Sequence, residues 1–328
     1  MTESVASRGT TTNTIRFAVV GAGAVGGYFG GRLAEANHAV TFIARGATLQ
    51  ALNSRGLRVE SLKGDFEISP VDATDDPAAV GTVDVVLVAV KAWQVAELGE
   101  TIRPMVGPET LVIPLQNGVE ATDQLARSLG ESRVGSGLCR IICQIVEPGH
   151  IRHSGSEPSV IVGERDNRRT ARIEGLVQAL QVSGIDAVVA DDIRLAVWEK
   201  FLFITSASGI GAVTRMPIGV LREQSETRAL LTQAMEEIVA VGREHGVMLS
   251  DDVIARTLSF IDRLPAQGTM SMQRDLMEGR RSELDAQNGA VVRLGRSANV
   301  PTPLHTFIYH VLLPMERQAR SRTEASPA

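Results

Sequence analysis

The chain has few cysteines and no pattern of metal ligands. Only Cys139 and Cys143 occur in 328 residues, so no disulfide framework is implied and a reducing cytoplasm is the expected location. Their i,i+4 spacing is compatible with a pair of metal ligands, but no further cysteine or histidine completes a cluster. We therefore predict that both cysteines are small buried hydrophobic residues, and we expect no metal.

Long apolar runs and an excess of positive charge are also missing. The apolar runs at 201–204 and 209–213 are far too short to cross a bilayer, so no membrane partner is expected. Lys and Arg number 33 against 38 Asp and Glu, and the net charge of −5 argues against nucleic acid as a partner. Residues 1–14 are polar and lack the apolar core of a secretory signal. They predict a disordered tail on a soluble protein.

A glycine-rich turn lies between a strand and a helix near the start of the chain. The apolar strand Phe17–Val20 leads into the sequence GAGAVG, and a helical pattern continues through Ala36. A dinucleotide-binding loop requires this context. Its first glycine permits the tight turn, its second lets backbone N–H groups approach a pyrophosphate, and its third lets the helix pack on the strand. The predicted cofactor loop is Gly21, Ala22, Gly23, Ala24, Val25 and Gly26.

Arg45 indicates which dinucleotide binds. It follows the apolar strand Ala39–Ala44, at a position where NAD-binding chains usually carry Asp or Glu for the ribose 2′-hydroxyl. A carboxylate repels a 2′-phosphate, whereas a guanidinium binds it with charge-assisted hydrogen bonds. We therefore predict NADPH as the cofactor. The alternative is a solvated surface arginine.

The two halves of the chain differ in their hydrophobic pattern. Residues 15–190 alternate strand-like and helix-like segments, with a helix predicted at Ala171–Val182, and residues 191–328 show mainly helical periodicity. We predict an α/β fold in which a Rossmann-type parallel-sheet domain precedes an all-helical domain, with a ligand cleft between them. The predicted strands are Phe17–Val20, Ala39–Ala44, Leu57–Ser61, Phe66–Ile68, Val83–Val90, Leu111–Leu115, Ile141–Val146, Val160–Gly163 and Ala187–Ala190. The later helices are Leu195–Ser206, Thr227–Glu244, Asp251–Leu264, Met272–Met277, Ser282–Ser297 and Leu304–Gln318.

Polar side chains follow two of the predicted strands. Lys91 comes directly after Val83–Val90, and Asn117 follows Leu111–Leu115. The carboxyl edge of a parallel sheet is where ligands bind, so both residues are candidates to face a cofactor or substrate. The alternatives are a solvated lysine and a simple Asn-Gly turn.

Two further candidates lie on helices of the second half. Lys200 stands among aromatic and aliphatic residues near the predicted domain boundary. If Lys200 faces the cleft, desolvation suits it to protonate a carbonyl oxygen as hydride arrives at the carbon. Glu283 is suited to pair with that ammonium or to accept a substrate hydroxyl. The alternatives are an ordinary surface lysine and an exposed helix carboxylate.

These residues together resemble the ketopantoate reductases (2-dehydropantoate 2-reductases) from about Ile15 to Glu316. The motifs that carry the resemblance are GAGAVG, Arg45-Gly46, VKAWQV at 90–95, QNG at 116–118, WEK at 198–200, Ser271-Met272 with Asp275, and Glu283-Leu-Asp285 with Asn288-Gly289. The resemblance implies NADPH-dependent reduction of a 2-oxo acid, with 2-dehydropantoate as the family's substrate, to the (R)-2-hydroxy acid.

The resemblance also implies roles for individual residues. Lys200 corresponds to the proton donor, and Glu283 to the acid that contacts the cofactor ribose and orders the lysine and the substrate. Ser271 corresponds to the serine that binds the substrate carboxylate. Lys91 and Asn117 correspond to positions near cofactor and substrate, and the loop and Arg45 correspond to the dinucleotide site.

One departure from the family affects substrate choice. Four and eight residues after the lysine the family has asparagines that reach the substrate, and this chain has Ile204 and Ser208. Ser208 retains a hydroxyl for substrate binding, whereas Ile204 offers no hydrogen bond. The rival substrates to 2-dehydropantoate are therefore another 2-oxo acid or a ketone. The alternative to a reductase is a non-catalytic NADPH-binding protein that acts as a sensor or binds a partner. A homodimer through the last helix is also open.

Overall fold

The computed structural model describes residues 15–155 and 157–325, so the predicted tail at 1–14 and the last three residues lie outside the described part. Twelve strands are found there: β1 Arg16–Val20, β2 Ala39–Ile43, β3 Leu57–Ser61, β4 Phe66–Ile68, β5 Asp72–Thr74, β6 Val83–Val88, β7 Val106–Pro114, β8 Ser136–Arg140, β9 Cys143–Glu147, β10 His150–His153, β11 Ser159–Gly163 and β12 Asp186–Val189.

The described residues also form thirteen α-helices. They are α1 Ala24–Glu35, α2 Gly46–Arg55, α3 Pro77–Val80, α4 Val95–Ile102, α5 Ala121–Leu129, α6 Ala171–Val182, α7 Ile193–Thr214, α8 Ile218–Glu223, α9 Ser225–Glu244, α10 Val253–Asp262, α11 Ser271–Met277, α12 Ala290–Ser297 and α13 Pro303–Ala325. None of these helices combines the length and the apolar character that crossing a membrane requires.

A five-stranded parallel sheet organises the first half of the chain. Its strand order is β5-β2-β1-β6-β7, with Phe17 opposite Val40 on one side and Val85 on the other. The central strands are buried runs of Val, Ile and Leu, as expected for a parallel sheet covered on both faces. Because the chain leaves β1 for β2 on one side and returns to β6 on the other, a crevice opens at the carboxyl ends of β1 and β6.

Two smaller sheets extend this half. The predicted hairpin of β3 and β4 is confirmed, and it belongs to a sheet of order β4-β3-β10-β9. The third sheet has the order β12-β11-β8, in which β11 runs parallel to β12 and antiparallel to β8.

Several predicted elements have different bounds in the structure. The strand predicted at Ile141–Val146 is found as β9 at Cys143–Glu147, and the preceding strand β8, which ends at Arg140 and pairs in a different sheet, was not predicted. The strand predicted at Val83–Val90 ends at Val88. The helix predicted at Ser282–Ser297 is interrupted by a π-helical turn at Asp285–Gly289 before α12 begins. π-Helical turns are frequent at functional sites.

The second half is helical and has its own core. The 22-residue helix α7 begins where Asp192 Oδ1 accepts a hydrogen bond from the Leu195 N–H at 2.9 Å. Helices α9, α11 and α13 pack against α7. The apolar core here extends from Trp198 to Leu312, whereas the cores around the parallel sheet end at Ala187. The predicted fold class, a parallel-sheet domain followed by a helical region, is confirmed.

Candidate active site

A cleft of about 1900 Å³ lies between the parallel sheet and the helical region. It begins at the carboxyl ends of β1, β2 and β6 and continues to α7, α10 and α11. The predicted site residues that line it are Gly21, Ala22, Gly23, Ala24, Val25, Arg45, Lys91, Asn117, Lys200, Ser271 and Glu283. The sequence therefore identified groups that meet at one cleft although they lie up to 262 residues apart.

The glycine loop has the backbone that a pyrophosphate site needs. Gly21 has φ of +98°, and a Cβ on it would lie 2.9 Å from the backbone nitrogen of Val90. A Cβ on Gly26 would collide with the carbonyl oxygen of Gly21, so α1 packs this closely only with glycine there. A Cβ on Gly23 would make only an ordinary contact, at 3.9 Å from Ile145 Cδ1, and no side chain caps α1. The first N–H groups of α1 are therefore accessible to an anion.

Arg45 lines the same cleft as the glycine loop, at the carboxyl end of the neighbouring strand β2. It follows β2, directly precedes α2 and is exposed to the cleft. Its guanidinium makes no hydrogen bond or ion pair with another described residue. An unpaired guanidinium beside the end of β2 fits the 2′-phosphate of NADPH.

Contacts across the cleft join the sheet to the helical region. Lys91 Nζ lies 3.2 Å from Asp275 Oδ2 on α11. The guanidinium of Arg281 lies 4.5 Å from the centre of the Trp93 ring, a cation–π contact. Sequence reasoning missed Arg281, since neither its charge nor its spacing distinguishes it from other arginines of the chain. These contacts hold Lys91 beside the cleft.

Glu283 is held by both walls of the cleft. Its carboxylate accepts the backbone N–H of Ala92 at 3.3 Å and the Asn117 side-chain amide at 3.0 Å. Glu283 is only 7% exposed. The two donors come from the ends of two sheet strands, and Glu283 precedes the π-helical turn in the helical region. A buried carboxylate is thus fixed at the junction of the walls and interacts electrostatically with Lys200.

Lys200 lines the cleft from α7 and is partly buried. Burial lowers the pKa of its ammonium, and the nearby positive charge of Arg140 also lowers that pKa, while the negative charge of Glu283 opposes both effects. The ammonium makes no hydrogen bond or ion pair with another described residue. Its protons are therefore available to a ligand in the cleft.

Arg140 is a cleft residue that sequence reasoning missed. It ends β8, is exposed to the cleft, and its guanidinium has no ion pair with another described residue. Arg140 could have been found as the polar residue that ends a strand. It was missed because the strand there was predicted to begin one residue later, at Ile141. Arg140 adds a positive charge near Lys200.

The two cysteines also line the cleft. Burial raises the pKa of the Cys139 thiol, and burial raises the pKa of the Cys143 thiol to about 12. Both thiols are therefore neutral at physiological pH. Cys139 is buried as predicted, but Cys143 is only partly buried. Among residues 15–155 and 157–325, no group of three His, Cys, Asp or Glu side chains is arranged to hold a metal ion.

Not all of the candidate substrate residues line the cleft. Ser271 is exposed to the cleft at the first turn of α11, and Ile204 lines the cleft one turn after Lys200. Ser208 is only 1% exposed and lies outside the cleft lining. The structure therefore brings Ser271 and Ile204 to the site with Lys200, and leaves Ser208 in the helical core.

Two family models together match most of the chain. The model described as ketopantoate reductase PanE/ApbA matches residues 17–167, and the model of its C-terminal domain matches residues 192–316. The chain belongs to the ketopantoate reductase family. Ketopantoate reductases are oxidoreductases, and this membership agrees with the glycine loop and the cleft lysine described above.

Individual relatives support the same assignment. The chain is 33% identical to a 2-dehydropantoate 2-reductase of Mesorhizobium japonicum, with 88% of this chain and 94% of the relative covered. It is 33% identical to the crystal structure of a PanE/ApbA family ketopantoate reductase from Ralstonia eutropha JMP134, with a TM-score of 0.84 and 93% and 100% of the chains covered.

The ketopantoate reductase fold is shared with a more distant oxidoreductase. A D-mandelate dehydrogenase solved with NADH and anilino(oxo)acetate aligns with a TM-score of 0.85, covering 93% of this chain and 99% of that one. Its identity is 23%, so this likeness concerns the fold alone.

Proposed function

We propose that this protein catalyses the NADPH-dependent reduction of a 2-oxo acid to the (R)-2-hydroxy acid. The observation that carries the proposal is that an accessible glycine loop and the unpaired ammonium of Lys200 line the same cleft. Family membership supports the reaction type and makes 2-dehydropantoate the first substrate to test. The chain is proposed to divide into a cofactor domain at 15–190 and a substrate domain at 191–328.

The glycine loop and Arg45 together form the proposed cofactor wall of the cleft, which has groups for each charged part of NADPH. The N–H groups at the start of α1 would hold the pyrophosphate, and Arg45 would hold the 2′-phosphate. Lys91, Asn117 and Glu283 line the cleft beyond the loop and would contact the rest of the cofactor. When bound, NADPH supplies the hydride that reduces the keto carbon.

Lys200 would supply the proton. Its ammonium donates a hydrogen bond to the keto oxygen and transfers the proton as negative charge develops there. Burial lowers the pKa of Lys200, which makes the transfer easier than from a solvated lysine. Glu283 opposes that fall in pKa and so keeps the ammonium charged before the reaction. Ser271 would donate to the substrate carboxylate from the opposite wall.

NADPH oxidation by the purified protein tests this proposal across pH. We expect turnover with 2-oxo acids and a loss of kcat on the alkaline side, at a pH below the ordinary lysine pKa of about 10.4, because Lys200 must be protonated. Arg140→Gln should move this alkaline limb to higher pH, since it removes a charge that lowers the pKa of Lys200.

Arg127→Gln is the matched control, because Arg127 is an exposed arginine on α5 outside the cleft lining. It should leave the alkaline limb in place. Binding of NADPH without oxidation by any 2-oxo acid would contradict the proposal and favour the non-catalytic sensor. An alkaline limb that Arg140→Gln leaves unmoved would contradict the contribution of Arg140 to the pKa of Lys200.

A further inference from the structure

One wall of the cleft presents apolar side chains beside Lys200. Phe203 and Ile204 follow Lys200 by three and four residues on α7, so all three lie on the same helix face. Phe203 and Ile204 are partly exposed and line the cleft. Phe260 of α10 packs edge-to-face on Phe203, with ring centroids 5.0 Å apart, and remains 41% exposed. We call Phe203, Ile204 and Phe260 the apolar wall.

The apolar wall is held in position by an ion pair one turn away. Arg256 Nη2 lies 2.8 Å from Glu199 Oε1 and joins α10 to α7. Glu199 precedes Phe203 by four residues, and Arg256 precedes Phe260 by four, so the ion pair and the ring pair stack along the same helix contact. The rings are thus fixed before any substrate arrives, which limits the entropy lost on binding.

The apolar wall has no side-chain hydrogen-bond donor. Ile204 stands where the family resemblance places an asparagine that reaches the substrate. The neighbouring Thr257 donates its hydroxyl proton to the Val253 carbonyl at 2.7 Å, so that proton is not directed to a ligand. Ser208 is buried outside the cleft. A substrate hydroxyl placed against the apolar wall would lose hydrogen bonds to water without replacing them there.

The exposed surface of Phe203 and Phe260 is suited to contact an apolar group of a substrate. Burying apolar surface gains about 25 cal/mol for each Å², and aromatic faces and edges add specific contacts. Since Lys200 is on the same helix face, a group attached to the keto carbon at Lys200 extends along the apolar wall. The apolar wall therefore favours substrate side chains that are large and carry no hydroxyl group.

We propose that this reductase prefers 2-oxo acids whose side chain is bulky and wholly apolar, and that Phe203, Ile204 and Phe260 determine this preference. The proposal depends on the 2-oxo acid reductase function proposed above. It distinguishes two substrates that differ in one hydroxyl group. 2-Dehydropantoate carries a hydroxymethyl group on a dimethyl carbon, and 3,3-dimethyl-2-oxobutanoate carries a methyl group in its place.

The test compares kcat/KM for these two acids and for pyruvate, with NADPH saturating. We expect 3,3-dimethyl-2-oxobutanoate to exceed 2-dehydropantoate by about 10- to 100-fold, the range in which an apolar pocket rejects an added hydroxyl. Pyruvate, which has the same reacting group and less apolar surface, should also fall at least about tenfold below it.

Variants of the apolar wall assign the preference to residues. Ile204→Asn should lower the ratio of kcat/KM for 3,3-dimethyl-2-oxobutanoate to kcat/KM for 2-dehydropantoate at least about tenfold. Ile204→Val should retain the preference. Phe260→Ala should reduce kcat/KM for 3,3-dimethyl-2-oxobutanoate more than for pyruvate. Phe307→Ala is its matched control, because Phe307 is 58% exposed on α13, outside the cleft lining.

The outcomes separate this inference from the function on which it depends. If the protein reduces 2-dehydropantoate as well as or better than 3,3-dimethyl-2-oxobutanoate, the preference is wrong and the reductase function stands. If it reduces other 2-oxo acids but none of these three, the preference is wrong and the reductase function stands. If it binds NADPH and reduces no 2-oxo acid, both fail. A ratio that Ile204→Asn and Phe260→Ala leave unchanged, with pyruvate turnover showing that the variants are folded, overturns the role of the apolar wall.

Discussion

Lys200→Ala is expected to lower kcat for the proposed 2-oxo acid reduction by about 10²- to 10⁴-fold, the contribution typical of a positioned general acid. The physical reason is that the ammonium of Lys200 lines the cleft without a hydrogen bond or ion pair to another described residue, and so is free to protonate the keto oxygen. NADPH affinity changes little, because the glycine loop and Arg45 are untouched. Steady-state kinetics and a fluorescence titration with NADPH measure the two quantities separately.

Lys63→Ala provides the control for loss of a lysine. Lys63 is exposed, pairs with Glu157 and lies outside the cleft lining, so its removal should leave kcat within about twofold. Removing the charge of Lys200 from a site that disfavours it should not lower the unfolding temperature. A Lys200→Ala variant that keeps more than about a tenth of parental turnover would show that another group donates the proton.

Arg45→Gln should abolish most of the preference for NADPH over NADH. Hydrogen bonds to charged groups contribute about 1.5–3 kcal/mol, so the KM for NADPH should rise about 10- to 100-fold while the KM for NADH changes little. Arg45 is exposed to the cleft at the end of β2 and has no competing carboxylate among the described residues. Initial rates with each cofactor give both constants.

Arg55→Gln at the end of α2, the helix that Arg45 precedes, is the comparison variant. Arg55 pairs weakly with Glu147 at 3.7 Å and lies outside the cleft lining. The ratio of the KM for NADPH to the KM for NADH in this variant should therefore equal that of the parent. A parent enzyme that prefers NADH, or an Arg45→Gln variant with an unchanged ratio, would refute the assignment of Arg45 to the 2′-phosphate.

Local sequence patterns predicted the backbone of the glycine loop well. The turn at Gly21 and the close packing at Gly26 depend on backbone geometry within a few residues, which the glycine spacing reports directly. The buried parallel strands β1, β6 and β7 were equally evident, because runs of Val, Ile and Leu are typical of strands covered on both faces.

Long-range pairing accounts for the errors. The apolar residues at 141–146 predicted one strand, which the structure has as β9 at Cys143–Glu147. The preceding strand β8 was not predicted, and the chain changes sheets after it, so that β8 pairs with β11 and β9 with β10. Nothing within β8 reports its partners in β11, which lie up to 27 residues away in sequence. The position of Arg140 at the cleft depends on that change of sheet and was missed with it.

The apolar wall and the residues near it were predicted only in part for a similar reason. The spacing of Lys200 and Ile204 on one helix face was evident from the sequence. The contact of Phe260 with Phe203, and that of Arg281 with Trp93, depends on how distant elements pack together. Ser208 has the helical spacing of a cleft residue but is buried, because the later turns of α7 lie inside the helical core.

The central claim is that a substrate keto group meets Lys200 in the cleft that also holds the cofactor. A crystal structure with NADP⁺ and oxamate, an unreactive analogue of a 2-oxo acid, tests it most directly. We expect the oxamate amide carbonyl oxygen within about 3.2 Å of Lys200 Nζ, and its carbon facing the nicotinamide ring. A complex in which the Lys200 amine points to bulk solvent, beyond hydrogen-bond reach of the ligand, would contradict the account.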